Sequence, residues 1–294
     1  MKYNIVLIGY GNWGKIVRKE IEKNKNLNLI SIVSSHKIKE KLNVNIYYDF
    51  KSLLKKEIFD CIYVAKDPDI NFEILNYCKS LKLPIIFEKP ISSNYIIGIK
   101  MLNIIKKNKI IAFTNLPNIY AETYELTKKF FSNNQSKIKK VIFHEGDYGP
   151  IRNTINPILD WGIHPLTYLL SIMGLDKSEN IIFKKKLIKN DGIRIISKME
   201  LILKDNFKIK IITGNLFKKK TRLLKIVLEN GDIFINNFIN HTISYNNKLI
   251  YKSKSQPLEI LLNTFVNCIN NNEIKEGIKN INISINAINL IEKK

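Results

Sequence analysis

Acidic side chains are scarce in this chain: 26 Asp+Glu stand against 48 Lys+Arg, a formal charge of +22 over 294 residues. Cysteine is scarcer still. Cys61, Cys78 and Cys268 make no CxxC pair and no metal-ligand spacing, which argues against a disulfide framework or a zinc site and for a reducing, cytoplasmic setting. No apolar run reaches the roughly 18 residues that cross a bilayer, and the first such run breaks at Gly9 and Gly11 where a signal peptide would continue. Neither export nor membrane attachment is expected. What the chain does have is 45% hydrophobic and 10% aromatic residues, too apolar for a disordered polymer and enough for sizeable cores.

The positive charge raises the question of nucleic acid, since clustered cations neutralise phosphates and release counterions. Here lysines are spread in short groups such as 55–56, 184–186 and 218–220, with no RNP pattern and no zinc-finger spacing. Lys, Asn and Ile are all used heavily, as a coding bias toward A and T would produce. No nucleic-acid partner is expected.

Two domains are the first estimate at about 150 residues each. Residues 2–9 read as a strand ending in glycine, 15–24 as a helix and 27–34 as a second strand, one βαβ unit. The alternation continues with strands at 60–65, 84–87 and 109–114 and helices at 70–80 and 93–107, which predicts a parallel sheet covered on both faces. After about Leu116 the texture changes to a helix over 119–131, a strand near 140–144 and an apolar helix ending near Gly174. Consecutive strand-like runs then fill 181–251, with an Asn230-Gly231 turn signal, before closing helices at 257–271 and 278–291. The fold class expected is α/β: residues 1–116 as a dinucleotide-binding domain on a parallel sheet, and residues 117–294 as an α+β domain on an open, largely antiparallel or mixed sheet.

Three motifs carry chemistry. Gly9-Tyr10-Gly11-Asn12-Trp13-Gly14 is a GxGxxG between a strand and an amphipathic helix, where glycines make a tight turn, admit a pyrophosphate and let helix and strand pack closely. About 20 residues on, NAD-selective sites place a carboxylate for the ribose diol. This chain has Ser34, Ser35, His36 and Lys37, with no carboxylate before Glu40, a donor set that suits a 2′-phosphate; NADP is expected ahead of NAD. Phe87-Glu88-Lys89-Pro90 closes a strand at the edge where ligands of open sheets gather. Asp160-Trp161-Gly162-Ile163-His164-Pro165 places a carboxylate four residues before a histidine able to move a proton near neutrality, with Pro165 read as part of the first turn of the apolar helix.

Taken with YVAKDPDINFEILNYC at 63–78 and PLEILLNTFVNCI at 257–269, these motifs resemble the Gfo/Idh/MocA family of NAD(P)-dependent oxidoreductases over nearly the whole chain. The resemblance implies a Rossmann domain followed by an α/β domain on an open sheet. It also implies a hydride exchanged with a polyol, sugar or sugar-derivative carbinol or carbonyl, with Lys89 on the reacting oxygen, His164 as acid/base and Asp160 supporting it. Further cofactor contacts would come from Ala65, Pro68, Asn71 and Glu88, and substrate contacts from Tyr148, Arg152 and Trp161 beside Lys89 and His164. Lys66-Asp67-Pro68 and Asn71 stand where the family often has Thr-Pro-Pro and a histidine. A homodimer or homotetramer is expected. The alternative is a dinucleotide-binding regulatory or partner protein without turnover, because fold does not dictate function.

Overall fold

Strand β1 (Tyr3–Ile8) has its last four residues buried, as a strand covered on both faces requires. In the computed structural model, which describes residues 2–149, 155–175, 181–203 and 207–293, it lies inside a six-stranded sheet. The others are β2 (Leu27–Val33), β3 (Asn45–Tyr47), β4 (Cys61–Val64), β5 (Ile85–Phe87) and β6 (Ala112–Thr114). Their order is β3-β2-β1-β4-β5-β6 and every pairing is parallel. The order reverses between β1 and β4, the switch point at which doubly wound sheets open a crevice.

Helices α1 (Asn12–Lys23), α2 (Phe50–Leu54), α3 (Asn71–Cys78) and α4 (Tyr95–Asn108) join these strands. In α1 the buried residues Gly14, Val17 and Ile21 form one stripe at helical spacing. Asn94 caps α4 by accepting from the Ile97 amide at 2.9 Å. β3 and α2 were not foreseen from the sequence. β3 is a short edge strand held by Glu57, whose Oε1 accepts from Asn45, Tyr47 and Ser31 at 2.7, 2.8 and 3.0 Å, so side-chain bonding rather than apolar patterning keeps it in place.

Two compact units divide the chain: residues 1–115 with 258–285, and residues 116–257 with 286–294. The expected boundary near 116 assigned everything beyond it to the second domain. Instead α7 (Pro257–Asn270) and much of α8 (Lys275–Glu292) return to the parallel sheet. The cause is the open edge of β6, which Asn280 of α8 covers and which Phe265 of α7 backs by an edge-on contact with Phe113 at 6.0 Å.

The second unit holds α5 (Thr123–Asn134), β7 (Ile138–Tyr148), α6 (Pro157–Ile172) and seven further strands. These are β8 (Ile182–Asn190), β9 (Ile195–Ile202), β10 (Lys208–Gly214), β11 (Leu216–Leu228), β12 (Ile233–Asn237), β13 (Thr242–Tyr245) and β14 (Lys248–Lys252). They form one mixed sheet in the order β14-β13-β12-β11-β7-β10-β9-β8, antiparallel except for β7 with β10. Val141, Phe143 and Glu145 of β7 alternate into the buried face, and α6 packs over β7 and β10. Among the described residues no helix is long and apolar enough to cross a membrane.

The start of α6 corrects one expectation. The helix opens at Pro157, capped by Asn156, whose side chain accepts from the Ile158 amide at 2.8 Å; Pro165 lies inside it rather than in its first turn. An asparagine cap followed by proline is itself a start signal, and it outweighs a proline eight residues later.

Candidate functional site

The glycine turn lies where β1 meets α1, at the carboxyl edge of the parallel sheet. Gly9 has φ +100°, and a Cβ there would also run into the Ala65 carbonyl and lie 2.7 Å from Lys66 Cγ. A Cβ on Gly14 would collide with the Gly9 carbonyl, whereas one on Gly11 would meet nothing within 4 Å. Gly11 caps α1 with no side-chain hydrogen bond, and the first turn carries no acidic residue. The positive end of the helix and its first amides therefore face space that a Cβ would partly fill, and these residues fit the pyrophosphate of a dinucleotide.

Beyond β2, Ser34 is buried and shapes its own loop: its hydroxyl donates to the His36 carbonyl at 2.8 Å and accepts from the His36 amide at 3.3 Å. Ser35, His36 and Lys37 are exposed. Glu40 returns toward α1, its Oε1 3.1 Å from Lys15 Nζ and its Oε2 3.8 Å from Arg18 Nη2. The Lys15 contact holds the Glu40 carboxyl below the usual range, while burial and Glu40 push the Tyr10 phenol up to about 12. Sequence alone marks Glu40 only as the first carboxylate after the 34–37 loop; its pairing with two residues of α1 is a contact that only folding creates.

At the ends of β4 and β5, Ala65 abuts the Gly9 turn and Pro68 is buried at the head of a 3-10 turn over Pro68–Ile70. Asn71 is fully buried and donates its amide to the Ile91 carbonyl at 2.9 Å, which ties α3 to the segment after Pro90. Glu88 and Lys89 are half-buried, and the Lys89–Pro90 bond is cis. Glu88 Oε1 accepts from Trp13 Nε1 at 2.5 Å, Tyr63 OH at 2.6 Å and Asn115 Nδ2 at 2.9 Å. Burial pushes the Glu88 carboxyl up against the opposing pull of those donors, and burial with the neighbouring carboxylate pushes the Tyr63 phenol well up. Tyr63 and Asn115 escaped the sequence reading because nothing in their local context marks them.

In the second unit, Asp160, Trp161 and His164 are buried near the start of α6, with Asp160 and His164 one helical turn apart on one face. Asp160 falls in the first turn, where a carboxylate complements the helix dipole. Trp161 lies beneath Arg222, whose guanidinium is 5.7 Å from the ring centre and whose Nε is 3.0 Å from Oε1 of the fully buried Glu145. Tyr148, 60% exposed at the end of β7, carries the Arg194 guanidinium 4.4 Å above its ring, and Arg194 Nε donates to the Gly149 carbonyl at 3.3 Å. Neither arginine was singled out in sequence, since strand-borne cations in so basic a chain stand out in no way. Arg152 lies outside the described residues.

Residues 3–116 match the family described as "Oxidoreductase family, NAD-binding Rossmann fold", the Gfo/Idh/MocA family. No curated protein matches the chain in sequence. Similar solved structures include the aldose-aldose oxidoreductase of Caulobacter crescentus, with TM-score 0.82 and 12% identity over 99% of this chain and 96% of that one. A dehydrogenase (MviM) of Clostridium difficile has TM-score 0.81 and 18% identity over 99% of each chain. The myo-inositol 2-dehydrogenase of Lactobacillus plantarum has TM-score 0.77 and 16% identity over 98% of this chain and 94% of that one. The glycine turn, the strand order and the matched segment thus agree: residues 3–116 form a Rossmann domain that matches the NAD-binding domain of the Gfo/Idh/MocA oxidoreductases.

Proposed function

We propose that this protein is an NADP(H)-preferring oxidoreductase that moves a hydride between its cofactor and a CH–OH or carbonyl carbon of a polyol, sugar or sugar derivative. The observation that carries the reading is the Gly9–Gly14 turn: Gly9 and Gly14 are forced by close packing, Gly11 is left open, and the turn lies at the switch point of a β3-β2-β1-β4-β5-β6 sheet. When bound, the nicotinamide cofactor accepts or supplies the hydride. The protein's part is to position and to move protons. In this reading Lys89 polarises the substrate oxygen, His164 exchanges its proton, and Asp160, one turn earlier on α6, orients the imidazole and favours its charged form.

Two structurally similar proteins act, by their names, on an inositol and on aldoses, which supports a polyhydroxylated substrate here. The preference for NADP rests on the hydroxyl and cation donors after β2 and on Arg18 and Lys15 nearby. Association into a homodimer or homotetramer belongs to the same reading, supported by the open face of the eight-stranded sheet, where Ile142, Ile212 and Leu223 are only partly covered.

Calorimetric titration with NADPH and NADH tests the cofactor, and a screen of inositols, aldoses and sugar nucleotides with NADP+ at 340 nm tests the reaction. Binding of NADPH with turnover that Lys89→Ala or His164→Ala abolishes is the expected result. Binding without turnover on any of these classes would favour a regulatory role, and no affinity for either dinucleotide would end the proposal.

A further inference from the structure

Glu88 is a half-buried carboxylate that the proposed proton chemistry does not use. Three donors from three separate elements converge on its Oε1: Trp13 from the first turn of α1, Tyr63 from β4, and Asn115 just beyond β6. Asn115 also donates to Tyr63 OH at 3.0 Å, so the four side chains form one connected cluster at the carboxyl edge of the sheet. An oxygen that accepts three N–H and O–H donors is set up as that of an ionised carboxylate. The charged or titratable neighbours that act on it are Tyr63, a neutral phenol, and the Lys89 ammonium; Trp13 and Asn115 do not titrate.

The position of this charge relative to a dinucleotide follows from the topology. A dinucleotide lies across the switch point with its adenosine half toward the carboxyl end of β2, so its nicotinamide half points toward the ends of β4 and β5. Glu88 follows β5 directly, and its partner Trp13 stands in the turn of helix that faces the pyrophosphate. The oxidised nicotinamide ring carries a positive charge and the reduced ring carries none. A fixed anion in a water-poor environment discriminates between them, because attraction between unit charges is much less damped there than in water.

We propose that Glu88 is a fixed negative charge that sets the oxidation-state preference of the cofactor site, favouring the oxidised dinucleotide over the reduced one. The inference rests on the dinucleotide-binding reading above. Its elements are a charge held in place by hydrogen bonds and a ligand whose two forms differ by one charge. By linkage, a change in the ratio of the two affinities is also a change in the reduction potential of the bound cofactor.

The test is the ratio of dissociation constants for NADP+ and NADPH, measured by calorimetry at pH 8. Glu88→Gln keeps the shape and an acceptor for the three donors but removes the charge, and should raise the NADP+/NADPH ratio about tenfold or more, tenfold being the order expected for two unit charges about 12 Å apart at an effective dielectric constant near 20. Trp13→Phe and Tyr63→Phe each remove one donor and keep the charge; they should move both constants together and leave the ratio within about twofold. A second measurement needs no variant: in the native protein the ratio should rise as pH is lowered from 8 and Glu88, whose value is raised chiefly by burial, takes up a proton. An unchanged ratio in Glu88→Gln overturns the proposal. If that variant does not fold, a native ratio that stays flat down to the lowest pH at which the protein remains folded overturns it. Native protein that binds neither dinucleotide would instead overturn the dinucleotide-binding reading.

Discussion

Asn280 grips Thr114 at both ends of its backbone: its Oδ1 accepts from the Thr114 amide at 2.7 Å and its Nδ2 donates to the Thr114 carbonyl at 3.1 Å. One side-chain amide thus stands in for the strand that the edge of β6 lacks. Asn280→Ala would leave a buried amide and carbonyl without these partners. The expected cost is about 1–3 kcal/mol in urea unfolding, with binding of the dinucleotide retained in the folded fraction.

The three glycines of the turn should separate in their effects. A Cβ on Gly11 meets no protein atom within 4 Å and its φ is −79°, so Gly11→Ala should leave stability unchanged or raise it by up to about 1 kcal/mol. It should nonetheless weaken dinucleotide binding, because the added methyl occupies the space in front of the helix amides. Gly14→Ala collides with the Gly9 carbonyl and should lower both stability and affinity. Thermal unfolding beside calorimetric titration reads both quantities.

Glu40 bears on cofactor choice. It is paired with Lys15 and with Arg18, the one arginine in residues 1–116, so it neutralises cations close to the loop proposed to read the adenosine ribose. Glu40→Gln should strengthen NADPH binding severalfold and leave NADH nearly unchanged, with the gain fading as salt is added. Ser35→Asp should act in the opposite sense and shift preference toward NADH. Loss of NADH affinity in Glu40→Gln would show instead that Glu40 reads the ribose diol.

Protonation at His164 should appear in the rate. A histidine acid/base gives a limb in the pH dependence of kcat/KM, and His164→Asn should flatten that limb while cofactor affinity stays nearly intact. Asp160→Asn should cost less, since an amide can still orient the ring but no longer stabilises its charged form. Near-native kcat in His164→Asn would move the role to Lys89 or to Tyr148.

Stability should carry the signature of Glu88. Its folded pKa is raised, chiefly by burial, so the native state binds more protons than the unfolded chain between the ordinary carboxylate value and the raised one. This contribution is complete below the unfolded value and is lost as pH rises through the folded value. Urea unfolding from pH 4.5 to 8 should therefore show Glu88→Gln gaining on the native protein as pH rises. A constant difference would contradict a raised pKa.

Much of the first unit is legible in its primary structure because the information is local. Ile5 to Ile8 ending in Gly9, with Val17 and Ile21 at helical spacing, dictate strand, turn and helix without reference to anything distant. The βα alternation through β6 and the long antiparallel run in residues 181–251 are legible for the same reason, and so is the spacing that puts Asp160 and His164 on one helical face. β3 and α2 are not, since a three-residue segment with Asn45 and Ile46 exposed becomes a strand only once Glu57 holds Asn45 and Tyr47.

The site divides along the same line. Residue types and spacing mark out Gly9, Gly11 and Gly14, the loop at 34–37, Glu88-Lys89 and the Asp160–His164 pair. Folding alone decides that Glu40 faces Lys15 and Arg18, that Asn71 holds Ile91, that Trp13, Tyr63 and Asn115 converge on Glu88, and that α7 and much of α8 belong with the parallel sheet. The reason is physical: periodicity and turn chemistry act over a few residues, whereas a half-buried carboxylate recruits its donors wherever the packed chain brings them, here from positions 25 to 75 residues away in sequence.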